Sequence, residues 1–160
     1  MSLILVEGAE STGKSTLINK LSKLGITEME FDRAVQNINE SAVVINSIVY
    51  KTNEQIIDLI FQGHLTCLDR GFLSSQVYGE IYKRAQKDYI KEFYPFRNKG
   101  LLVIYCFCDK ETASKRLPYR KKITSAYNKD WQIISECFER NVIRMIKMGF
   151  NVIKINTSVK

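Results

Sequence analysis

Gly8, Gly13, Lys14 and Ser15 stand at the spacing G-x-x-x-x-G-K-S, inside the stretch VEGAESTGKSTL that begins at residue 6. Glycines so placed let a tight turn aim successive backbone N–H groups at phosphate oxygens, and the helix that follows adds its positive end. In such a turn Lys14 reaches the β and γ phosphates, the Ser15 hydroxyl holds Mg²⁺ and the Thr16 hydroxyl meets the α phosphate, with Ser11 and Thr12 in the cradle itself. The pattern follows an apolar strand-like segment and opens a helical one, the context that separates a phosphate loop from a chance glycine turn. Glu10 is an acid inside this anion-binding loop. It either points outward, to an acceptor hydroxyl or a Mg²⁺-bound water, or is a plain exposed loop acid.

Two further groups bear on the same chemistry. In CLDRGFLSSQVYG, residues 67–79, Asp69 ends an apolar run and Arg70 follows it. A carboxylate there can direct Mg²⁺ or activate a nucleophile, and an adjacent guanidinium can grip an acceptor phosphate with two parallel hydrogen bonds. In KRLPYRKK, residues 115–122, five of eight residues are basic and none is acidic. A flap at about 115–127 closing over the phosphates would bring Arg116 and Arg120 to the charge that develops on a transferring group; the plainer alternative is a solvated charge run. Phe31, Phe72 and Tyr78 are candidates to stack on a base, and each is equally suited to a core.

Elements to position these groups follow from the apolar pattern. Apolar runs at 3–7, 65–69, 101–107 and 151–156, with a weaker one at 26–31, alternate with helical stretches at 14–24, 34–62, 110–117 and 128–148. Alternation of this kind implies βαβ units, and so an α/β three-layer domain with a roughly five-stranded parallel sheet and helices on both faces. Leu17, Leu21 and Leu24 form the expected inner stripe of the first helix. Tyr78, Tyr82, Ala85, Tyr89 and Phe93 keep helical spacing and predict one amphipathic helix closed by Pro95. Trp131, Ile134, Phe138, Met145 and Met148 mark the inner face of the last helix. In open sheets of this class ligands bind at the carboxyl ends of the strands, where the suggestive residues fall.

The 160 residues suit one domain over 1–160, and no internal repeat or Pro/Gly-rich linker divides them. The longest apolar runs are far shorter than the ~20 residues of a membrane helix. With no signal-like start, the expected location is the cytoplasm, with no membrane partner. Cys67, Cys106, Cys108 and Cys137 lie in apolar segments without metal-ligand spacing, and a single histidine, His64, excludes a two-histidine site. Residues 1–98 hold 11 basic and 12 acidic groups, whereas residues 99–160 hold 13 and 5, so the net charge of +7 sits in the C-terminal part. Such asymmetry fits an anionic partner, a nucleotide or a nucleic acid, or simply a solvated basic face.

These segments together resemble the thymidylate kinase family and, more broadly, the P-loop nucleoside and nucleotide kinases. The likeness rests on VEGAESTGKSTL, on LDRGFLSSQVYG, which is similar to that family's Asp-Arg-aromatic signature, on CDKETASKRL before a basic lid, and on FERNVIRM near the end. It implies a five-stranded parallel sheet, with ATP and Mg²⁺ as cofactors and a nucleoside monophosphate as acceptor. Residue by residue, it implies triphosphate and metal contacts for Lys14, Ser15 and Thr16, a catalytic acid in Asp69 and an acceptor-phosphate arginine in Arg70. Glu10 stands where the family often carries an aspartate facing the acceptor sugar, and Arg116 and Arg120 supply the cation that the loop lacks. Gly71 stands where an aromatic usually follows Asp-Arg, and no Arg-Glu-Pro-Gly segment follows the first helix. Phosphorylation of a free nucleoside or of a nucleic-acid hydroxyl, a non-catalytic nucleotide-sensing module, and assembly as a homodimer stay open from the sequence.

Overall fold

The computed structural model describes residues 1–29, 41–84, 87–116 and 125–159, with side chains from 131 onward in the last of these. In chain order the elements are β1 (Leu3–Glu7), α1 (Lys14–Lys23), β2 (Thr27–Met29), α2 (Ala42–Phe61), β3 (Thr66–Asp69), α3 (Phe72–Ile81), α4 (Tyr89–Phe93), β4 (Leu101–Phe107), α5 (Lys110–Arg116), α6 (Ser125–Lys147) and β5 (Val152–Asn156). The strands form one all-parallel sheet in the order β2-β3-β1-β4-β5. The expected α/β architecture and strand count are therefore found.

β1 lies mid-sheet and is buried along its whole length. Because successive strand residues face opposite ways, its side chains divide between two cores. Leu3 and Leu5 join residues of α2, α3, α4 and α6, among them Val49, Phe72, Phe93 and Phe138. Ile4 and Val6 meet Ile18 of α1, Cys67 of β3 and Cys106 of β4 on the opposite face. By the same alternation Glu7 falls on the Leu3 and Leu5 side, a carboxylate aimed at α3. The register pairs Val6 with Asp69 and with Ile104, so β1, β3 and β4 end together and place the phosphate loop beside the Asp69–Arg70 turn.

Several local expectations change. The aromatic stripe does not form one helix: α3 stops at Ile81, Lys83 takes a positive φ of 53°, and α4 starts anew with Asp88 accepting from the Lys91 N–H at 3.2 Å. Helical spacing survives across the break, and Tyr78, Tyr89 and Phe93 are still core, as expected of the stripe. In α1 the fully buried apolar residue is Ile18, Leu17 and Leu21 of the expected stripe pack partly buried against the same core, and Leu24, just past the helix, is 78% exposed. The segment at 26–31 supplies only Thr27–Met29, and Phe31 lies outside the described residues. All four cysteines are free and buried. Among the described residues no helix is long and apolar enough to cross a membrane.

Candidate active site

Leaving β1, the chain turns at Gly8 with φ 144°, and a Cβ there would drive into the backbone carbonyl of Cys106 on β4. Gly13 closes the loop at φ 84°, with its missing side chain facing Thr157 at 3.3 Å. Gly8 thus excludes a side chain on two grounds, backbone conformation and space, and Gly13 on the first, with only a tight fit against Thr157. Gly8→Ala is expected to lower the melting temperature by roughly 5 °C or more and to abolish measurable Mg-ATP binding, as read by calorimetry.

The loop's carbonyls show how it is held. Gly8 O accepts from Arg70 Nη1 at 3.0 Å, Glu10 O from the Trp131 indole N–H at 3.0 Å, Ser11 O from Arg116 Nη1 at 3.1 Å and Thr12 O from the Thr157 hydroxyl at 2.9 Å. Gly13 O accepts the Leu17 N–H of α1. In a planar trans peptide the N–H points opposite to the C=O, so each carbonyl anchored from outside turns the next N–H toward the loop's interior. Ala9 O is held from within, by Thr12 Oγ1 at 2.8 Å and Lys14 Nζ at 2.6 Å. The Ser11 hydroxyl is buried and finds no hydrogen-bond partner among the described residues, a vacancy of the kind a phosphate oxygen fills. Ser15 and Thr16 are exposed on the first turn of α1. This donor set fits a triphosphate. It fits Mg²⁺ as well, since that ion is commonly held by one or two protein oxygens beside substrate phosphates and water.

Beside the cradle lies a buried cluster of charge. Arg70 adopts a left-handed backbone, φ 73°, with its N–H on Val6 O at 2.8 Å. Its guanidinium donates to Gly8 O and, at 3.3 Å, to Ser74 Oγ; Nη2 lies 3.9 Å from Glu10 Oε1 and the group sits 5.3 Å from the Tyr78 ring centre. Burial works against the Arg70 charge, but Tyr78, Asp69, Glu10 and Glu7 outweigh it and hold the pKa above its ordinary value. Glu10 is only 8% exposed, so it turns inward to Arg70 instead of being a solvated loop acid. Asp69 ends β3 next to this cluster.

Glu7 is the site residue that sequence patterning did not single out, since it closes an apolar strand and its contacts lie 67 residues away. Its Oε2 accepts both the N–H of Ser74, at 3.2 Å, and the Ser74 hydroxyl. Gly71, the residue before α3, offers no capping side chain, and Glu7 caps that helix from across the fold. A Cβ on Gly71 would lie 2.8 Å from Leu5 Cδ1 and 3.2 Å from Glu7 Oε1, so a larger residue after Arg70 would have to displace the Leu5 side chain. Burial pushes the Glu7 carboxyl from 4.5 up to about 7, against the Ser74 hydrogen bonds, the Arg70 charge and the Gly71 backbone; Asp69 adds to the rise.

Of the candidates read from sequence, Gly8, Glu10, Ser11, Thr12, Gly13, Lys14, Ser15, Thr16, Asp69 and Arg70 occupy the adjoining β1–α1 and β3–α3 turns. Phe72 does not line the cleft: it is fully buried and stacks on Phe93 at 4.2 Å, filling the core below α3. Tyr78, 4% exposed, lies beneath the Arg70 guanidinium. Arg116 braces the loop through Ser11 O and also binds the Thr157 carbonyl at 2.6 Å. Arg120 and the rest of the lid through 124 lie outside the described residues.

No family model and no curated protein matches this sequence. Solved structures do. The YorR protein of Bacillus subtilis, in complex with phosphorylated GDP, superposes with a TM-score of 0.67 at 22% identity, covering 97% of this chain and 85% of that one. Deoxyadenosine kinase from M. mycoides, solved with dCMP and dCDP as products, gives 0.65 at 16% identity over 96% and 89%. Thymidylate kinase from Candida albicans gives 0.59 at 18% identity over 99% and 85%. The chain therefore has the three-layer α/β fold of P-loop nucleoside and nucleotide kinases.

Proposed function

We propose that this protein is a P-loop kinase that transfers the γ-phosphoryl group of ATP, with Mg²⁺, to a nucleoside monophosphate. The observation that carries the reading is the abutment of the two turns: Arg70 spans from Gly8 O of the donor cradle to within 3.9 Å of Glu10. Lys14 reaches the β and γ phosphates, Ser11, Thr12 and Gly13 line the cradle, Thr16 meets the α phosphate, and Ser15, with Asp69, would hold Mg²⁺. The ion neutralises phosphate charge when bound; the protein's own part is positioning and electrostatic stabilisation. Arg70 orients the acceptor phosphate and Glu10 faces the acceptor sugar. Arg116 and Arg120 are the proposed lid cations, Arg116 by exchanging Thr157 for phosphate as the lid closes. The protein acts in the cytoplasm.

A second reading, transfer to the hydroxyl of a free nucleoside, is favoured by how fully Arg70 is engaged. With Glu7, Glu10 and Asp69 around it, the described part of the acceptor side is better suited to a neutral group than to a dianion. Incubation with labelled ATP, Mg²⁺ and a panel of nucleosides, monophosphates and short DNA separates these readings by which acceptor gains label; labelled DNA alone, or no labelled product, defeats both. If a monophosphate is the acceptor, Arg70→Ala should raise its KM on the order of 10- to 100-fold, the loss of a hydrogen-bonded charge pair, and should raise the ATP KM by less, through the lost Gly8 anchor.

A further inference from the structure

Glu10 is held at both ends. Its side chain approaches Arg70, and its backbone carbonyl accepts the indole N–H of Trp131, a residue of α6 that is 121 positions away and 6% exposed. The neighbouring carbonyls have other anchors, Arg116 at Ser11 and Thr157 at Thr12. The Trp131 bond is therefore the one described anchor of the Glu10 carbonyl, while the donor cradle beyond it is fixed independently. Trp131 is also the only tryptophan in the sequence.

We infer that Trp131 is a positioning residue for the acceptor side: by anchoring the Glu10 peptide it keeps that carboxylate turned toward Arg70, and so acts more strongly on acceptor binding than on ATP binding. The inference rests on the kinase reading for its kinetic consequence, though not for its structural one. Removal of the N–H leaves the Glu10 carbonyl without this donor and lets the peptide rotate toward another, taking the carboxylate with it. Arg116 and Thr157 still hold the Ser11 and Thr12 carbonyls, so of the cradle only the Ser11 N–H loses its anchor.

Trp131→Phe keeps an aromatic ring in the core and deletes only the donor end. It should raise the acceptor KM about fivefold or more and the ATP KM by clearly less, whereas Thr157→Val, which deletes the Thr12 anchor, should raise the ATP KM more than the acceptor KM. Equal changes in both KM values for Trp131→Phe, or none, overturn the inference. A measurement free of catalysis stands beside it, for use also where the variant does not fold. In protein labelled with ¹⁵N tryptophan the single indole N–H should exchange with solvent slowly, and Arg70→Ala, by releasing the Glu10 side chain, should speed that exchange tenfold or more. Unchanged exchange disproves the coupling through Glu10. Slow exchange, accelerated in Arg70→Ala, with no kinase product from any acceptor, leaves the coupling standing and sinks the kinase reading instead.

Discussion

Lys14→Ala is expected to lower kcat on the order of 10²- to 10³-fold, the usual cost of removing one preorganised group that meets developing charge. Lys14 is 5% exposed and donates to Ala9 O at 2.6 Å, within the loop whose N–H groups turn inward. Phosphate binding offers it a stronger, charge-assisted partner than a neutral carbonyl. Its loss should not unfold the loop, because Ala9 O keeps its bond from Thr12 Oγ1 and the remaining carbonyls keep theirs. A melting temperature near that of the wild type, together with the fall in kcat, is the expected pair of results. Lys14→Arg should recover little, since a planar fork does not replace a compact ammonium in a tight turn. Activity within tenfold of wild type for Lys14→Ala would remove Lys14 from the γ-phosphate.

Glu7→Gln should make the protein more stable relative to wild type as the pH rises, an effect opposite to that of most carboxylate substitutions. The Glu7 carboxyl is raised from 4.5 to about 7 in the folded protein, first of all by burial. Between those values the native state binds more protons than the unfolded chain, so this group makes stability fall with increasing pH. Below about pH 4.5 both states are protonated and it contributes nothing; above about pH 7 both are ionised and the full penalty applies. A displacement of this size corresponds to about 3 kcal/mol. Glutamine keeps an acceptor for the Ser74 N–H but carries no charge to bury. The difference in unfolding free energy, variant minus wild type, should therefore rise by about that amount between pH 4.5 and 8 in denaturant titrations. A difference independent of pH would show that Glu7 does not titrate where its burial places it.

How much of this was legible depended on the distance over which a feature is built. Every residue type a phosphate cradle needs stands at residues 8–16, within one turn and the start of one helix, so spacing alone proposed the site. Asp69 and Arg70 were legible because they end an apolar run beside a predicted first strand. Glu7 was not: nothing within five residues distinguishes a strand-ending acid from an exposed one, and its meaning comes from Ser74 and Gly71. Trp131 read only as core for the same reason, and Thr157 carried no signal at all. Periodicity also misled where it persisted through a break, as in the aromatic stripe across Lys83 and Asp88. The glycine that follows Arg70 looked like a departure from a pattern, and the structure shows it as a space already taken by Leu5 and Glu7.

Thr157 carries one more consequence. It accepts Arg116, donates to Thr12 O, and uses its own N–H on Phe107 O, while Ser158 and Val159 tie into Asp109 and Thr112. The loop that begins at residue 8 is thus braced from residue 157. During synthesis on a ribosome the loop sequence emerges early, yet these braces cannot form until the last strand has left the exit tunnel and docked against β4. Nascent chains arrested before residue 157 should therefore fail to bind immobilised ATP, and competence should arrive in a single step once β5 and Thr157 have emerged.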